Sequence, residues 1–262
     1  MHFKTIIPDN SISFIVKDIL VFEENNNSKE TILPFFADGC PGLTFHITPK
    51  GQWVQPHNKK MPVIYLYGQT IHPMELHIQG SFKIVVFQLY PFVINSFFHV
   101  DAKELNDCCY DLNQIPEWNA IEKIVLKSTN LEERITVISN CLLKTFNEQK
   151  QNLDLSIKEA IHLILFQKAQ ITVSDLSDKL HMTIRTLERR FSKQVGISVK
   201  DFIQITKFQQ SFEQLSLKDY KKLTDIVYSN GFADQSHFIR VFKAFTGETP
   251  SRFKKNILPN LS

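Results

Sequence analysis

The hydrophobic positions of this chain follow a strand-like pattern in its first part and a helical period in its last part. Short apolar runs between positions 34 and 91 are separated by glycines and prolines, at 43–47, 63–67, 74–78 and 82–90. That spacing is typical of an antiparallel sheet, a sandwich or a small barrel. Positions 117–126 and 131–149 repeat their apolar residues at helical intervals, which predicts two helices. The pattern therefore predicts an α+β fold, with a sheet-rich, cupin-like or barrel domain first and an all-α domain last.

A short helical hairpin is predicted at positions 173–195. Thr183 is suited to cap the second helix, because its hydroxyl can accept a hydrogen bond from an unpaired N–H group of the first turn. The apolar stripe of this helix is Ile184, Leu187, Phe191 and Val195, and its opposite face carries Arg185, Glu188, Arg189 and Lys193. Two short amphipathic helices joined by a tight turn are typical of a helix-turn-helix, whose second helix enters the DNA major groove. An ordinary helical hairpin with a solvated basic face is the alternative.

The same pattern recurs 50 positions later, which favours the helix-turn-helix. A second short helix begins at Leu223 and ends before Gly231, a residue suited to a left-handed helix end. Asp234 can cap the helix that follows. The inward positions of that helix are Phe238, Val241, Phe242 and Phe245. Positions 198–216 predict one connecting helix, so each of the two units has its own recognition helix.

Residues 154–255 resemble the AraC/XylS-type DNA-binding domain of bacterial transcription regulators. The resemblance depends on several stretches in a fixed order. They are Thr186-Leu-Glu-Arg-Arg-Phe191 with Gly196, Asn230-Gly-Phe-Ala-Asp-Gln-Ser-His-Phe238, and Arg240-Val-Phe-Lys243 with Gly247 and Thr249-Pro-Ser-Arg-Phe253. The chain departs from the family at Ser177, Ser211 and Val227, where small alanines are usual. These are packing positions, so the departures concern local helix spacing.

The resemblance implies which side chains face DNA. The base-reading positions are Arg185, Glu188, Arg189, Gln235, Ser236, Ile239 and Arg240, and the phosphate-contacting positions are Thr183, His237, Lys243 and Arg252. Arginine suits guanine, glutamine suits adenine, and isoleucine suits a thymine methyl group. Two roles are open for Glu188: it accepts a hydrogen bond from a cytosine amine, or it orients Arg185 or Arg189. The two recognition helices are expected in successive major-groove faces about 34 Å apart.

Composition and charge support two domains with different partners. The chain has 262 residues with a hydrophobic content of 43%, which is ample for packed cores. Positions 151–262 hold 17 Lys and Arg against 11 Asp and Glu, a net charge of +6, whereas the remaining positions hold 13 against 16, a net charge of −3. A basic C-terminal domain beside a mildly acidic one fits a polyanion-binding module. No segment is long and apolar enough to span a membrane, and a signal-peptide pattern is missing.

Candidate ligand-binding residues are few in the sheet-rich part. In the alternating run 74–79, Glu75, His77 and Gln79 share one face, and polar groups on the inner face of a barrel could bind a small molecule. A strand with a solvated outer face is the alternative. The cupin metal pattern of two histidines flanking one residue, followed by a glutamate, is missing. The four cysteines show neither metal-type spacing nor a secreted disulfide framework. We therefore expect no metal, no cofactor and a cytoplasmic location.

A regular apolar stripe in the helix predicted at 131–149 is a candidate dimerisation surface. Its members are Leu131, Ile135, Ile138, Leu142 and Phe146. Such a stripe packs a helix into its own domain or forms one half of a coiled coil. Many regulators of the resembled architecture pair through a helix between their two domains, so the resemblance favours a homodimer.

The sequence thus predicts a sheet-rich effector-binding domain at 1–130, a dimerisation helix and linker at 131–152, and a double helix-turn-helix domain at 153–262. We expect a bacterial transcription regulator that binds promoter DNA and is not an enzyme. Activation, a small-molecule effector and contact with RNA polymerase are expected from the resemblance. A regulator without a ligand, whose first domain only dimerises, is one alternative. A cupin-like enzyme tethered to DNA is another, disfavoured because the first half lacks a nucleophile elbow, a phosphate loop and a metal-ligand cluster.

Overall fold

The computed structural model describes residues 1–217, 220 and 222–256, so positions 257–262 of the predicted C-terminal domain lie outside the described residues. The N-terminal region contains strands β1 (His2–Ile6), β2 (Val16–Glu24), β3 (Glu30–Phe35), β4 (Gly42–Ile47), β5 (Gln52–Gln55), β6 (Lys59–Lys60), β7 (Ile64–Tyr67), β8 (Met74–Gln79), β9 (Phe82–Leu89) and β10 (Cys109–Asp111). They form two antiparallel sheets, one in the order β1-β2-β9-β4-β7-β10 and one in the order β3-β8-β5-β6. The four predicted apolar runs are β4, β7, β8 and β9, which confirms the sheet-rich first part.

Strand β8 shows which faces of the two sheets meet. Leu76 and Ile78 are buried in an apolar cluster that also contains residues of β7 and β9. Side chains alternate along a strand, so the polar residues of β8 take the other face. These outward residues are Glu75, His77 and Gln79. At that surface, His77 Nε2 lies 3.0 Å from a carboxylate oxygen of Glu75. The expectation that these three residues lie on an inner face is therefore wrong, because the space between the sheets is bounded by the apolar face, and ligand binding by them stays a prediction.

The helices follow the predicted periodicity closely. They are α1 (Val93–Phe98), α2 (Pro116–Lys127), α3 (Leu131–Gln149), α4 (Leu155–Phe166), α5 (Val173–Lys179), α6 (Ile184–Val195), α7 (Val199–Leu217), α8 (Leu223–Ser229), α9 (Gln235–Thr246) and α10 (Pro250–Asn256). Helices α4 to α10 make up the C-terminal region, which confirms the α+β class. Within the described residues, every helix is too short or too polar to cross a membrane.

The apolar stripe of α3 packs inside the chain itself. Ile138 and Leu142 are buried, and the other three members of the stripe are half-buried against the same core. The ring of Phe146 lies 4.2 Å from that of Phe14 and 5.3 Å from that of Phe97, between ring centroids. Of the two uses open to this stripe, the structure shows packing within the protomer. Dimerisation through it stays a prediction, and it would require these contacts to be exchanged for contacts with a second chain.

The two regions share one continuous apolar core and are joined by specific contacts. On one side, the buried Ser96 hydroxyl donates to Gln194 Oε1 at 2.9 Å, which ties α1 to α6. Next to it, Asn106 Nδ2 donates to the carbonyl oxygen of Gly196 at 2.8 Å. On the other side, the Gln209 side-chain amide on α7 donates to the carbonyl oxygen of Ala37. The N-terminal region therefore contacts both the first helical hairpin and the connecting helix.

A partly buried carboxyl group lies in the cleft between the six-stranded sheet and α7. Asp38 accepts hydrogen bonds from the Cys40 N–H at 2.9 Å and from Gln88 Nε2 at 2.8 Å. Burial nevertheless raises the pKa of Asp38 from 3.8 to about 6, and the positive charge of Lys17 offsets only part of this. The folded chain therefore holds a proton on Asp38 at pH values where the unfolded chain has released it.

Linkage between this proton and folding gives a pH-dependent expectation. Because the pKa of Asp38 is higher in the folded state, its contribution to the free energy of unfolding falls as pH rises from about 4 to about 6. We expect Asp38→Asn, which carries no charge, to gain stability relative to the wild type as pH rises through this window. Urea unfolding of both proteins at pH 4.5 and pH 7 measures the difference. An equal difference at the two pH values would contradict the assignment.

Candidate nucleic-acid interface and internal cavity

Helices α5 and α6 form the first predicted helix-turn-helix, and their ends are fixed by local side chains. The Thr172 hydroxyl accepts from the Asp175 N–H at 3.1 Å, and Asp175 accepts from the Thr172 N–H at 3.1 Å, which caps α5 reciprocally. The Thr183 hydroxyl accepts from the Thr186 N–H at 3.2 Å, so the predicted cap of α6 is present. Gly196 ends α6 in the left-handed conformation, with φ of 88°. The sequence of this hairpin therefore specifies where each helix begins and ends.

The solvent-facing side of α6 carries the basic residues that the sequence placed there. Arg185, Arg189 and Lys193 are exposed, while Leu187 and Phe191 are fully buried on the opposite side. Ile184 was predicted to belong to the buried stripe, but it is 49% exposed. It lies in the first turn of α6, beyond the edge of the core. The exposed end of the helix is therefore partly apolar as well as basic.

Glu188 has a structural contact that neither predicted role included. Its carboxylate accepts from the Val199 N–H at 3.2 Å, at the first residue of α7. Free N–H groups and the helix dipole at a helix start favour a carboxylate. In this structure Glu188 thus links α6 to the connecting helix, and both roles considered for it in DNA binding stay predictions.

Arg190, which sequence analysis did not single out, fixes α6 to α4. Its guanidinium donates through Nε to one carboxylate oxygen of Asp154 at 2.9 Å and through a terminal nitrogen to the other at 2.5 Å. The same carboxylate caps α4 by accepting from the Ile157 N–H at 3.2 Å. Paired arginine–carboxylate bonds are strong and directional. Of the two neighbouring arginines, Arg189 faces outward and Arg190 holds the helix in place.

Helices α8 and α9 form the second unit. Asp234 accepts from the His237 N–H at 2.7 Å, which confirms the predicted cap of α9. Gly231 has φ of 67°, the left-handed conformation expected after α8. The predicted inward residues Phe238, Val241, Phe242 and Phe245 are all buried. The predicted outward residues Gln235, Ser236, Arg240 and Lys243 are exposed, with Ile239 half-buried beside them. The second outward face is therefore where the sequence predicted it.

The four residues predicted to contact phosphates differ in whether their side chains already have partners within the chain. The Thr183 hydroxyl, besides capping α6, donates to the Thr186 hydroxyl at 3.0 Å. The ring of His237 is half-buried and meets the ring of Phe232 edge-on, with centroids 5.6 Å apart. Arg252 is largely exposed, with a carboxylate oxygen of Glu248 4.0 Å away. Lys243 is also exposed. Arg252 and Lys243 can therefore reach outward freely, whereas the other two already have partners within the chain.

A cluster of aromatic rings holds the second unit on α7. Its members are Phe208, Phe212, Phe238, Phe242, Phe245 and Phe253. Phe36, directly after β3, extends the cluster into the N-terminal region, with ring centroids 5.7 Å from Phe212 and 5.5 Å from Phe253. The first unit packs on the same helix through Phe191 and Phe202, whose rings are 5.6 Å apart. One helix therefore sets the distance between the two recognition helices.

The N-terminal region also contains a cavity of about 100 Å³ that lies between its two sheets and is partly open to solvent. Its wall consists of Phe35, Thr44, Val54, His57, Lys59, Met61, Tyr65, Tyr67, Thr70, Met74, Leu76, Ile84, Val86, Asp107, Cys108 and Cys109. Phe35 borders the cavity, and the next residue, Phe36, joins the aromatic cluster of the second unit. Asp107 also borders it, and the preceding residue, Asn106, holds Gly196. The cavity thus adjoins both places where the two regions meet.

The histidines of the N-terminal region are dispersed. His46 is buried, with its two ring nitrogens 2.8 Å from the Pro62 carbonyl oxygen and 2.7 Å from the Thr48 hydroxyl. Burial lowers the pKa of His46 to about 4, so the ring is neutral near pH 7. His72 pairs instead with Asp107 at 2.7 Å. Among the described residues, no three His, Cys, Asp or Glu side chains are grouped so as to hold a metal ion.

Comparison with known proteins gives separate matches for the two regions. The family described as "Helix-turn-helix domain" matches residues 176–256, and a "Domain of unknown function (DUF6597)" matches residues 4–111. The Msm operon regulatory protein of Streptococcus mutans is 31% identical over 93 residues, which cover 35% of this chain and 33% of that protein. An uncharacterised HTH-type transcriptional regulator of Staphylococcus aureus is 29% identical over 84 residues, which cover 32% of this chain and 11% of that protein. The matches to these relatives thus span a third or less of their length.

Among solved structures, the chain is similar to ToxT of Vibrio cholerae. An apo structure of a ToxT point variant aligns with 90% of this chain and 97% of its own, at 16% identity and a TM-score of 0.47. A ToxT complex with a naphthalenyl butenoic acid aligns with 97% and 99% of the two chains, at 14% identity and a TM-score of 0.49. The family match at 176–256, the relatives and the two capped hairpins agree with the motifs quoted above. The C-terminal region of this chain is an AraC-type helix-turn-helix domain of the kind found in bacterial transcription regulators.

Proposed function

We propose that this protein is a sequence-specific transcription regulator that binds promoter DNA with both recognition helices and responds to a small molecule through its N-terminal region. The observation that carries the proposal is the pair of outward faces on α6 and α9, both braced on α7. Each face is polar or basic, accessible to solvent, and held by caps and a buried aromatic side. A two-part DNA site requires two recognition helices that are held rigidly relative to each other.

Direct reading of bases is assigned to the outward side chains of the two faces. Arg185 and Arg189 have the donor geometry for guanine, and Gln235 has that for adenine. Ser236, Ile239 and Arg240 complete the second face, with Ile239 suited to a thymine methyl group. Phosphate contacts by Thr183, His237, Lys243 and Arg252 would set the position of the protein on the duplex without reading sequence.

The response to a small molecule is supported by the cavity between the sheets, because a domain that serves only for pairing does not need such a cavity. Activation, with RNA polymerase as a partner, extends the family resemblance to this chain. We further propose that the protein acts as a homodimer in the bacterial cytoplasm, so that each dimer covers two copies of a two-part site.

Arg189→Ala tests the DNA-binding part of the proposal. If Arg189 reads a base, we expect the affinity for the preferred site to fall by roughly 1–3 kcal/mol and the preference at one base pair to relax. Lys123→Ala, which removes an exposed positive charge on α2, is the matched control and should leave affinity and preference unchanged. Selection of bound DNA from a random library at physiological salt, followed by titration of the selected site, measures both quantities.

The selected motif also tests whether both units read DNA. Two short elements about one helical turn apart would support simultaneous use of α6 and α9. A loss of affinity for Arg189→Ala that is equal on all sequences would make Arg189 a phosphate contact. The proposal would be contradicted if the folded full-length wild-type protein enriched no motif, either alone or with cell extract added as a source of effector.

A further inference from the structure

The cavity between the two sheets has a size that limits what can occupy it. Its volume is about 100 Å³. An apolar cavity of roughly 150 Å³ in a protein core is known to accept benzene, whereas pockets for drug-sized ligands usually exceed roughly 300 Å³. The volume of this cavity is closer to the first of these sizes, so the expected occupant is a single small ring or a short branched chain.

The charged groups around the cavity either already have hydrogen-bond partners within the chain or lie at the edge of the cavity. The carboxylate of Asp107 accepts from the Ile71 N–H at 2.6 Å and the His72 N–H at 3.1 Å, and its second oxygen faces the His72 ring. Lys59 is exposed, and its ammonium group donates to the Cys109 carbonyl oxygen at 3.4 Å. The deep wall is made of buried apolar side chains, namely Leu76, Ile84 and Val86. A charged group placed against these apolar side chains would lose its hydration with no counter-charge beside it, since the charge of Lys59 lies at the exposed edge of the cavity.

Two hydroxyl groups border the mainly apolar cavity. Thr44 on β4 lies directly opposite Tyr65 on β7, and both border the cavity. The Tyr65 hydroxyl accepts a hydrogen bond from Gln52 Nε2 at 3.3 Å. Burial raises the pKa of Tyr65 above its ordinary value, so its hydroxyl keeps its proton near neutral pH.

A count of donors shows what this hydroxyl pair has left for a ligand. Two hydroxyl groups provide two donors and several acceptor lone pairs. Gln52 uses one lone pair of the Tyr65 hydroxyl. The two O–H donors and further lone pairs therefore remain for a partner inside the cavity, such as a ligand hydroxyl or carbonyl group.

We propose that this cavity binds an uncharged, mainly apolar molecule of roughly six to eight non-hydrogen atoms with one hydroxyl or carbonyl group, which meets the Thr44–Tyr65 hydroxyl pair. This proposal names the ligand class for the proposed function, and any regulatory role of the binding rests on that function. The binding itself is a property of the sheets, and it can be measured without DNA.

The test uses the full-length protein and three probes of similar size: phenol, toluene and benzoate. Isothermal titration calorimetry gives the affinity of each. We expect phenol to bind, toluene to bind roughly 3- to 10-fold more weakly because it lacks one hydrogen bond, and benzoate not to bind. Comparable binding of benzoate and phenol, or no binding of phenol and toluene, would overturn the proposal.

Variants locate the site and control for folding. Val54→Phe puts a ring into the space next to half-buried Val54 and should abolish binding of phenol and toluene alike. Tyr65→Phe should lower phenol affinity to that of toluene and leave toluene affinity unchanged. Tyr110→Phe removes a half-buried hydroxyl outside the cavity wall and should change neither affinity. Unchanged phenol binding in folded Val54→Phe protein would place the probe elsewhere and overturn the proposal.

Loss of DNA binding and loss of ligand binding are separable outcomes. If folded protein selects a DNA motif but binds none of the probes, the ligand class is wrong and the DNA-binding function stands. If it binds phenol as expected but selects no DNA, the ligand class stands and the proposed function fails.

Discussion

Replacing Gly196 with alanine is expected to lower the free energy of unfolding by roughly 3 kcal/mol, the sum of a conformational cost and a steric one. Gly196 ends α6 with φ of 88°, and in this left-handed region a Cβ atom costs roughly 1–2 kcal/mol. An added Cβ would also lie 2.5 Å from the Ala102 carbonyl oxygen, a backbone atom of the N-terminal region. Relief of that clash requires the two regions to separate locally, which costs a similar amount again.

Gly247 provides the matched control for this substitution, because it ends the second recognition helix in the same way. Its φ is 78°, but the nearest atom to an added Cβ is Pro73 Cγ at an ordinary 3.8 Å. We expect Gly247→Ala to cost only the conformational part, roughly 1–2 kcal/mol. Urea unfolding monitored by circular dichroism compares the two variants. Equal losses at both glycines would mean that α6 and the N-terminal region are not held together in solution.

A second large effect is expected for Phe242→Ala, with a loss of roughly 4 kcal/mol. Phe242 is fully buried, and its ring lies 5.4 Å from those of Phe208 and Phe253 and 5.6 Å from that of Phe238. Removal of the ring leaves a cavity where α7, α9 and α10 meet. Since α9 carries the second recognition face, we also expect specific DNA binding to be lost at temperatures where the wild type is folded.

Phe166→Ala is the corresponding control, because it removes the same side chain from a surface position. Phe166 is 77% exposed at the end of α4, and its loss should change stability by no more than about 0.5 kcal/mol. Thermal unfolding and gel-shift titration with the selected DNA site measure the two variants in parallel. Retention of full DNA affinity by Phe242→Ala at 37 °C would show that the aromatic cluster does not position α9.

Features set by neighbouring residues could be predicted from the sequence. Thr183 and Asp234 cap the recognition helices because a side chain and an N–H group three residues apart meet by local geometry. The buried sides of α6 and α9 follow from the helical period, and so do the outward faces. Ile184 is the exception, since the period alone does not say where the core surface ends.

Contacts between distant parts of the chain could not be predicted in this way. The partner of Arg190 is 36 positions away, and no local pattern distinguishes this structural arginine from Arg189 beside it. The stripe of α3 suits packing within the chain and pairing between chains equally, so only the structure shows the contact with Phe14 and Phe97. In β8 the alternation identified the two faces correctly, but the cavity lies on the apolar face rather than on the face of His77.

Phe35 and Phe36 are joined by one peptide bond and contact two different environments, the cavity and the aromatic cluster that carries α9. If a cavity ligand changes the affinity for promoter DNA through this pair, thermodynamic reciprocity requires DNA to change the affinity for the ligand by the same factor. Promoter-bound and free copies of the regulator would then respond to different ligand concentrations. The number of promoter sites in the cell would thereby become part of the dose response.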